Sequence, residues 1–270
     1  MSNSRTALVT GAAGGMGRAI ALALKARGLT VFGTSRRPDT KLPADYPILA
    51  LDVRSDESVQ AAIEQLRERA GRLDVLVNNA GSRFLGAVEE TTVDDAKEVF
   101  ETNFFGTHRV TRAALPLLRQ AGGGKIITVT SLAGINAIPF GAIYSASKWA
   151  LEGYFESLRQ EVKRFGIDVA IVEPGAVRSE RREAPQQPRS AIAAYAAARA
   201  HAFEVILRGD QKGMDVSRVA DCVVRIVDSR STRLRYRVGL DATWFPRFKL
   251  LSWSFYESGV RRRYALDADK

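Results

Sequence analysis

The sequence predicts an α/β protein: a doubly wound, parallel sheet with helices on both faces. Three observations carry that prediction. Short β-branched runs alternate with amphipathic segments of helical period through the first half of the chain, the pattern of parallel strands joined by helical crossovers. A glycine-rich turn follows the first strand-like run, and residues 167–173 form an apolar strand that calls for burial on both faces.

Residues 6–10 read as the first strand and 17–27 as a helix, with Gly28 as its C-terminal stop and 30–34 as the second strand. A short apolar strand over 48–53 leads to Ser55. This serine is placed to cap a helix whose first turn carries Asp56 and Glu57, as the helix dipole favours, and which ends near Gly71. Residues 73–78 form strand four, 92–119 one long helix, and 125–130 strand five after a glycine turn. Residues 144–165 are helical, with Gly166 as the stop before the strand over 167–173. Beyond Pro174 come an arginine-rich loop, an alanine-rich helix near 190–207, a helix after Asp215 and a last strand near 236–239. With 270 residues and 46% hydrophobic side chains, the chain is expected to form one domain over 1–270. Within it, about 176–214 would supply a substrate-binding loop and helices, and about 240–270 a C-terminal extension.

The first strand begins at residue 6, which leaves no room for a signal peptide, and no stretch approaches the ~20 apolar residues of a spanning helix. The only cysteine, Cys222, lies in an apolar helical stretch and reads as a small buried hydrophobe. A cytoplasmic protein without a metal site is expected. The net charge of +10 raises nucleic acid or an anionic membrane as partners, since both attract cations. The arginines are spread over 178–189, 230–237 and 261–263 without an aromatic platform or zinc spacing, so a solvated basic surface and no specific nucleic acid are expected.

Between the first strand and the first helix stands Thr10-Gly11-Ala12-Ala13-Gly14-Gly15-Met16-Gly17, placing glycines where a pyrophosphate approaches bare backbone and a helix N-terminus. The spacing is not that of GxGxxG, and a tight strand-to-helix corner is the bland alternative. Strand two ends Thr34-Ser35-Arg36-Arg37. With no carboxylate there for a ribose hydroxyl, and two guanidinium groups able to fork onto a 2′-phosphate, NADP(H) is favoured over NAD(H).

Tyr144 and Lys148 are four residues apart at the start of a helix and so share one face, where an ammonium favours phenolate over phenol. Ser131 stands at the end of strand five and Asn79 at the end of strand four, the edge where open α/β sheets place ligands. Taken in order, TGAAGGMG, NNAG (78–81), Asn103, Ser131, YSASK (144–148) and EPG (173–175) resemble the short-chain dehydrogenase/reductase family, with its Rossmann-like fold, over roughly residues 5 to 180. The stretch 131–153 is similar to the branch containing hydroxysteroid and retinol dehydrogenases.

The resemblance implies a tetrad. Tyr144 would be general acid/base, Lys148 would favour its phenolate and bind the nicotinamide ribose, Ser131 would polarise the substrate oxygen, and Asn103 would hold a water that passes protons out through Lys148. It further implies that Gly11, Gly15, Met16 and Gly17 cradle the pyrophosphate and that Ser35, Arg36 and Arg37 meet the adenosine ribose. Asp52 and Val53 would flank the adenine, and Asn79 with Ala80 and Gly81 would brace the sheet beside the cofactor. Pro174, Gly175, Val177 and Ser179 would line the nicotinamide pocket. Each has a plainer rival: Asp52 as a turn cap, Asn103 as a helix-bending polar residue, Ser131 as a strand-end turn former.

The activity implied is reduction of a ketone or aldehyde, or the reverse, on a bulky apolar substrate. Arg83, Phe84, Ile138, Phe140, Ile143 and the alanine-rich helix are expected around it. A non-catalytic NADPH-binding sensor or scaffold is the alternative from another class. Relatives commonly form dimers or tetramers through helices corresponding to 92–119 and 144–165, so a homodimer or homotetramer is implied. Trp244, Phe248, Leu251 and Phe255 recur at helical spacing before Arg261, Arg262 and Arg263. That pattern suits a lid, core or subunit contact, or alternatively a peripheral membrane contact.

Overall fold

The computed structural model describes residues 4–37, 45–178 and 184–267. In chain order the elements are β1 (Thr6–Val9), α1 (Gly15–Ala26), β2 (Thr30–Ser35), β3 (Ile48–Ala50), α2 (Asp56–Ala70), β4 (Val75–Asn78), α3 (Val93–Phe100), α4 (Gly106–Gln120), β5 (Gly124–Val129), α5 (Ala142–Val162) and β6 (Ile167–Pro174). There follow β7 (Val177–Arg178), α6 (Ala196–Gln211), β8 (Met214–Asp215), α7 (Ser217–Asp228), β9 (Arg235–Val238), α8 (Leu240–Leu251) and α9 (Trp253–Arg263).

Seven strands pair in the order β3-β2-β1-β4-β5-β6-β9, every pair parallel, and β7 and β8 form a small separate pair. Because side chains alternate along a strand, each central strand feeds two cores. Ala7, Val9, Val75, Val77, Ile127, Val129, Ala170 and Val172 pack with Ile20 and Leu24 of α1 and Val219, Val223 and Ile226 of α7. Leu8, Leu76, Ile126, Val169 and Ile171 pack the other way, against Val59 and Leu66 of α2, Val110 and Leu117 of α4, and Leu151 and Phe155 of α5. The doubly wound sheet expected from the alternation is the observed one. Strand order reverses beside β1, so a crevice opens at the carboxyl ends of β1 and β4.

Four local expectations are corrected. The long helix over 92–119 is interrupted by a π turn, Glu101–Phe105, between α3 and α4, and Asn103 sits in that turn. The extra residue per turn rotates one side chain out of the regular stripe. Strand β3 stops at Ala50 instead of 53, releasing Asp52 and Val53 toward the crevice. The alanine-rich helix runs Ala196–Gln211, later than 190–207, after a short 3-10 turn at Ala193–Tyr195. Finally, Phe255 is not on the helix that carries Trp244, Phe248 and Leu251. Ser252, extended at φ −158°, ends α8 and caps α9 by accepting the Phe255 N–H at 3.3 Å.

Candidate active site

A cavity of about 670 Å³ lies at the ends of β1, β2 and β4. Its floor is the glycine turn. Gly11 sits at φ +66°, and a side chain on Gly17 would run into the Gly11 carbonyl and the Asn79 amide, so helix α1 can start this close only with glycine there. Asn79 locks that approach. Its Nδ2 donates to the Thr10 carbonyl at 3.0 Å, while the Asn79 and Ala80 N–H groups donate to Thr10 Oγ1 at 2.9 and 3.0 Å. The first intrahelical bond is Arg18 N–H to Gly14 O, and Gly14 is extended with no side-chain cap. The N–H groups of Gly15, Met16 and Gly17 therefore precede the helical ladder, at the wall of the cavity.

Beneath the turn, buried Tyr46 donates its hydroxyl to the Ala12 carbonyl at 2.8 Å, and burial pushes its pKa up to about 12. Ser35 and Arg36 line the same cavity at the end of β2, together with Asp52, Val53, Ala80, Gly81 and Val177. Arg37 does not line it; its N–H donates to Ser35 Oγ at 3.2 Å. Arg54 was not foreseen. It lines the cavity and holds Asp52 with bonds of 3.1 and 2.8 Å, and that hydrogen bonding keeps the Asp52 carboxyl below its ordinary range against the opposing effect of burial. Three helix-start amides and the guanidinium groups of Arg36 and Arg54, with no carboxylate among the described residues at the end of β2, are a donor set suited to an anionic dinucleotide.

Tyr144 and Lys148 lie in the first turns of α5. Lys148 is buried; its Nζ stands 5.9 Å from the Tyr144 ring centroid and donates to the Val129 carbonyl at 3.3 Å. Fully buried Asn103 accepts the Ser82 N–H at Oδ1 (2.8 Å) and donates through Nδ2 to Ser82 O (3.0 Å) and Ser147 Oγ (2.9 Å). Its side chain is thus committed to bracing the loop after β4, and its carbonyl accepts from Thr107 Oγ1 at 2.7 Å. A Cβ built on Gly81 would stand 3.1 Å from Asn103 Oδ1 and 3.5 Å from Lys148 Nζ, which places these groups side by side.

Ser131, at the end of β5, caps a 3-10 turn by accepting the Ala133 N–H at 3.1 Å and faces a second cavity of about 280 Å³. Among the described residues, Tyr144 and Arg83 alone line both cavities. Arg83 pairs with Asp210 of α6 at 2.7 Å, both largely buried, so an ion pair stands at the seam. The walls of the second cavity are mostly apolar: Leu85, Ile138, Val205 and Ile206, with Phe245 and Phe248 of α8 and Phe255, Tyr256 and Val260 of α9. Ile138 is placed as expected, but Phe140 and Ile143 do not reach the cavity. Phe140 meets Tyr195 edge-on at 6.5 Å instead. The roof comes from α8 and α9, in keeping with the lid among the alternatives for the Trp244, Phe248, Leu251 and Phe255 pattern, and Phe248 and Phe255 line the cavity. Gly175 lines this second cavity, Pro174 ends β6 and lines neither, and Ser179 lies outside the described residues.

One helical turn beyond Lys148 is a buried polar cluster that was also missed. Glu152 accepts from Thr130 Oγ1 at 2.7 Å and from Arg235 Nε at 2.9 Å, and Glu173 accepts from Arg237 Nε at 3.1 Å. Burial pushes both carboxyls above the usual range despite the guanidinium partners. The cluster ties the ends of β5 and β6 to β9 and so to the start of α8. Asp241 makes a second tie by accepting the Ala176 N–H at 2.8 Å.

Comparison with known proteins places this geometry in context. The family model described as short chain dehydrogenase matches residues 5–200. A 3-ketodihydrosphingosine reductase of Bacteroides thetaiotaomicron is 44% identical over 168 residues, 62% of each chain. The uncharacterized oxidoreductase YusZ of Bacillus subtilis is 34% identical over 97% of this chain and 99% of its own. Retinol dehydrogenase 8 of Homo sapiens is 36% identical over 65% of this chain and 60% of its own. A short-chain dehydrogenase from Streptomyces avermitilis superposes with a TM-score of 0.84 at 35% identity, covering all of both chains.

Proposed function

The chain belongs to the short-chain dehydrogenase family, and from that premise we propose that this oxidoreductase uses NADPH to interconvert a bulky, largely apolar ketone or aldehyde and the corresponding alcohol. The observation that carries the reading is the position of Tyr144, on the wall of a polar, cation-lined cavity and of an apolar one at once. A proton donor at that seam reaches a carbonyl oxygen whose apolar remainder lies under α8 and α9.

In this reading the amides of Gly15, Met16 and Gly17 hold the pyrophosphate, and Arg36, assisted by Ser35, holds the 2′-phosphate. Asp52 and Val53 border the adenine, Asn79, Ala80 and Gly81 the central part of the dinucleotide, and Val177 its far end. When bound, the nicotinamide supplies the hydride donor or acceptor, which no side chain can do. Tyr144 gives its phenolic proton to the oxygen on which negative charge develops, and Ser131 donates a second hydrogen bond there. Lys148, buried with its Nζ 5.9 Å from the Tyr144 ring centroid, sets a positive charge beside the oxygen that has given up its proton. Asn103 fixes the Ser82 backbone, and with it the loop that carries Arg83, so its contribution is to position the wall of the site.

The apolar lining of the second cavity supports a lipid-like carbonyl compound over a polar one. The activities for which two relatives are named, a 3-ketodihydrosphingosine reductase and a retinol dehydrogenase, point the same way. The test is loss of NADPH absorbance against aliphatic, aryl and steroidal ketones and aldehydes, with NADH in parallel. Turnover on bulky apolar members with NADPH preferred is expected. Tight NADPH binding without turnover on any of them would replace an enzyme with a sensor.

A further inference from the structure

Helix α8 presents large apolar side chains outward as well as inward. Leu240, Trp244 and Leu251 fall at i, i+4 and i+11 on one stripe, with Arg247 at i+7, and they are 76%, 50% and 81% exposed. The inward side carries Ala242, Pro246, half-buried Lys249 and the cavity-lining Phe245. Leu250, Trp253 and Phe255 extend the exposed apolar surface around the α8–α9 break. Phe248 and Phe255 belong both to this surface and to the wall of the apolar cavity, so the cavity borders the patch.

The chain has three tryptophans, and all of them stand here. Trp149 and Trp253 flank the Lys249 ammonium at 4.9 and 5.9 Å, and Trp244 lies under the Arg247 guanidinium at 5.0 Å. All are roughly half exposed. Half-exposed indoles paired with cations are suited to the boundary between water and hydrocarbon, where the ring is buried and the charged partner meets headgroups. Residues 240–267 carry five cations against three acids; Lys249 donates inward to the Ile135 carbonyl at 3.1 Å, Arg261 pairs with Asp267 at 2.7 Å and Asp241 is turned inward onto Ala176, so Arg247 and Arg262 give the exposed surface its positive character. A second copy of the chain fits this surface poorly, because a twofold pairing would set the same basic patch against itself. No helix among the described residues is long and apolar enough to cross a membrane, so the feature describes a surface contact.

We propose that the outward face of α8, with the start of α9, docks onto an anionic lipid bilayer and turns the border of the apolar cavity toward the hydrocarbon. Exposed leucines and tryptophans enter the interface, and Arg247 and Arg262 hold the anionic headgroups. Docking itself does not rest on the catalytic reading, and it is measured without substrate.

The test uses the full chain with vesicles of phosphatidylcholine alone or mixed with phosphatidylglycerol, read by flotation and by tryptophan emission. Flotation with the mixed vesicles, a blue shift and weakening with added salt are expected. Leu251→Asp changes a side chain with almost no packing in the folded protein and should lower vesicle affinity by roughly tenfold to a hundredfold. Arg247→Glu should lower affinity for the mixed vesicles specifically. Three results would overturn the proposal: no flotation with mixed vesicles, equal binding of wild type and Leu251→Asp, or light scattering showing a dimer that Leu251→Asp converts to monomer.

Discussion

The cavity at the ends of β1, β2 and β4 and the cavity under α8 and α9 share Tyr144 but are made of different material. The first is built largely from main chain: a glycine turn, helix-start amides and strand ends locked by Thr10 and Asn79. The second is built from apolar side chains on α6, α8 and α9, elements outside the central sheet. A backbone-built site holds a ligand of fixed chemistry, because few sequences allow that close approach. A side-chain-built site can be reshaped one residue at a time without disturbing the sheet.

The largest expected effect lies at the seam. Tyr144→Phe removes the hydroxyl proposed as proton donor while keeping the ring that both cavities share, so kcat should fall by about 10²–10⁴-fold with NADPH affinity unchanged. If the variant keeps appreciable turnover, Tyr144 is wall and not acid. Next comes the cleft alone. Arg36→Asp should weaken NADPH binding by roughly tenfold to a hundredfold and NADH binding far less, as measured by fluorescence titration of both cofactors. Equal losses would remove Arg36 from the 2′-phosphate and leave the cofactor choice to other residues, Arg54 among them.

The second cavity is probed by filling it. Val260→Trp on α9 should raise KM for a bulky ketone by roughly tenfold, leave a small aldehyde nearly unaffected and not change the Kd for NADPH. Parallel losses on large and small substrates would mean that the two regions are coupled, contrary to the division drawn between them.

The same division explains what could be read from the sequence. TGAAGGMG, NNAG and YSASK are short and local, and each sits at a strand end, so the parallel sheet and the polar cavity were legible from residue order. The roof was legible only as the lid among several alternatives. Phe245, Tyr256 and Val260 acquire their place only when α8 and α9 fold back over α6, which no local pattern encodes. The Arg83–Asp210 and Asn103–Ser82 contacts join residues 127 and 21 positions apart, and the π turn at Asn103 looks in sequence like ordinary helix. Phe140 and Ile143 were misplaced because they adjoin Tyr144 in sequence, whereas Phe140 turns toward Tyr195.

The smallest predicted effect concerns the joint between the regions, the cluster of Glu152, Glu173, Arg235 and Arg237 that links the β5 and β6 ends to β9. Burial raises the pKa of both carboxyls in the folded protein, so folding favours their protonated forms. The stabilisation is therefore complete below the ordinary value of 4.5 and is lost as pH rises through the raised folded values. Glu152→Gln keeps the amide oxygen as an acceptor for Thr130 or Arg235 but removes one titration. Its Tm should decline less steeply than wild type from pH 5 upward, by about 2–4 °C per kcal/mol of stability retained. A thermal-melt series with parallel slopes for the two proteins would show that the guanidinium groups already hold both carboxylates charged, and that the joint is a fixed ionic clasp.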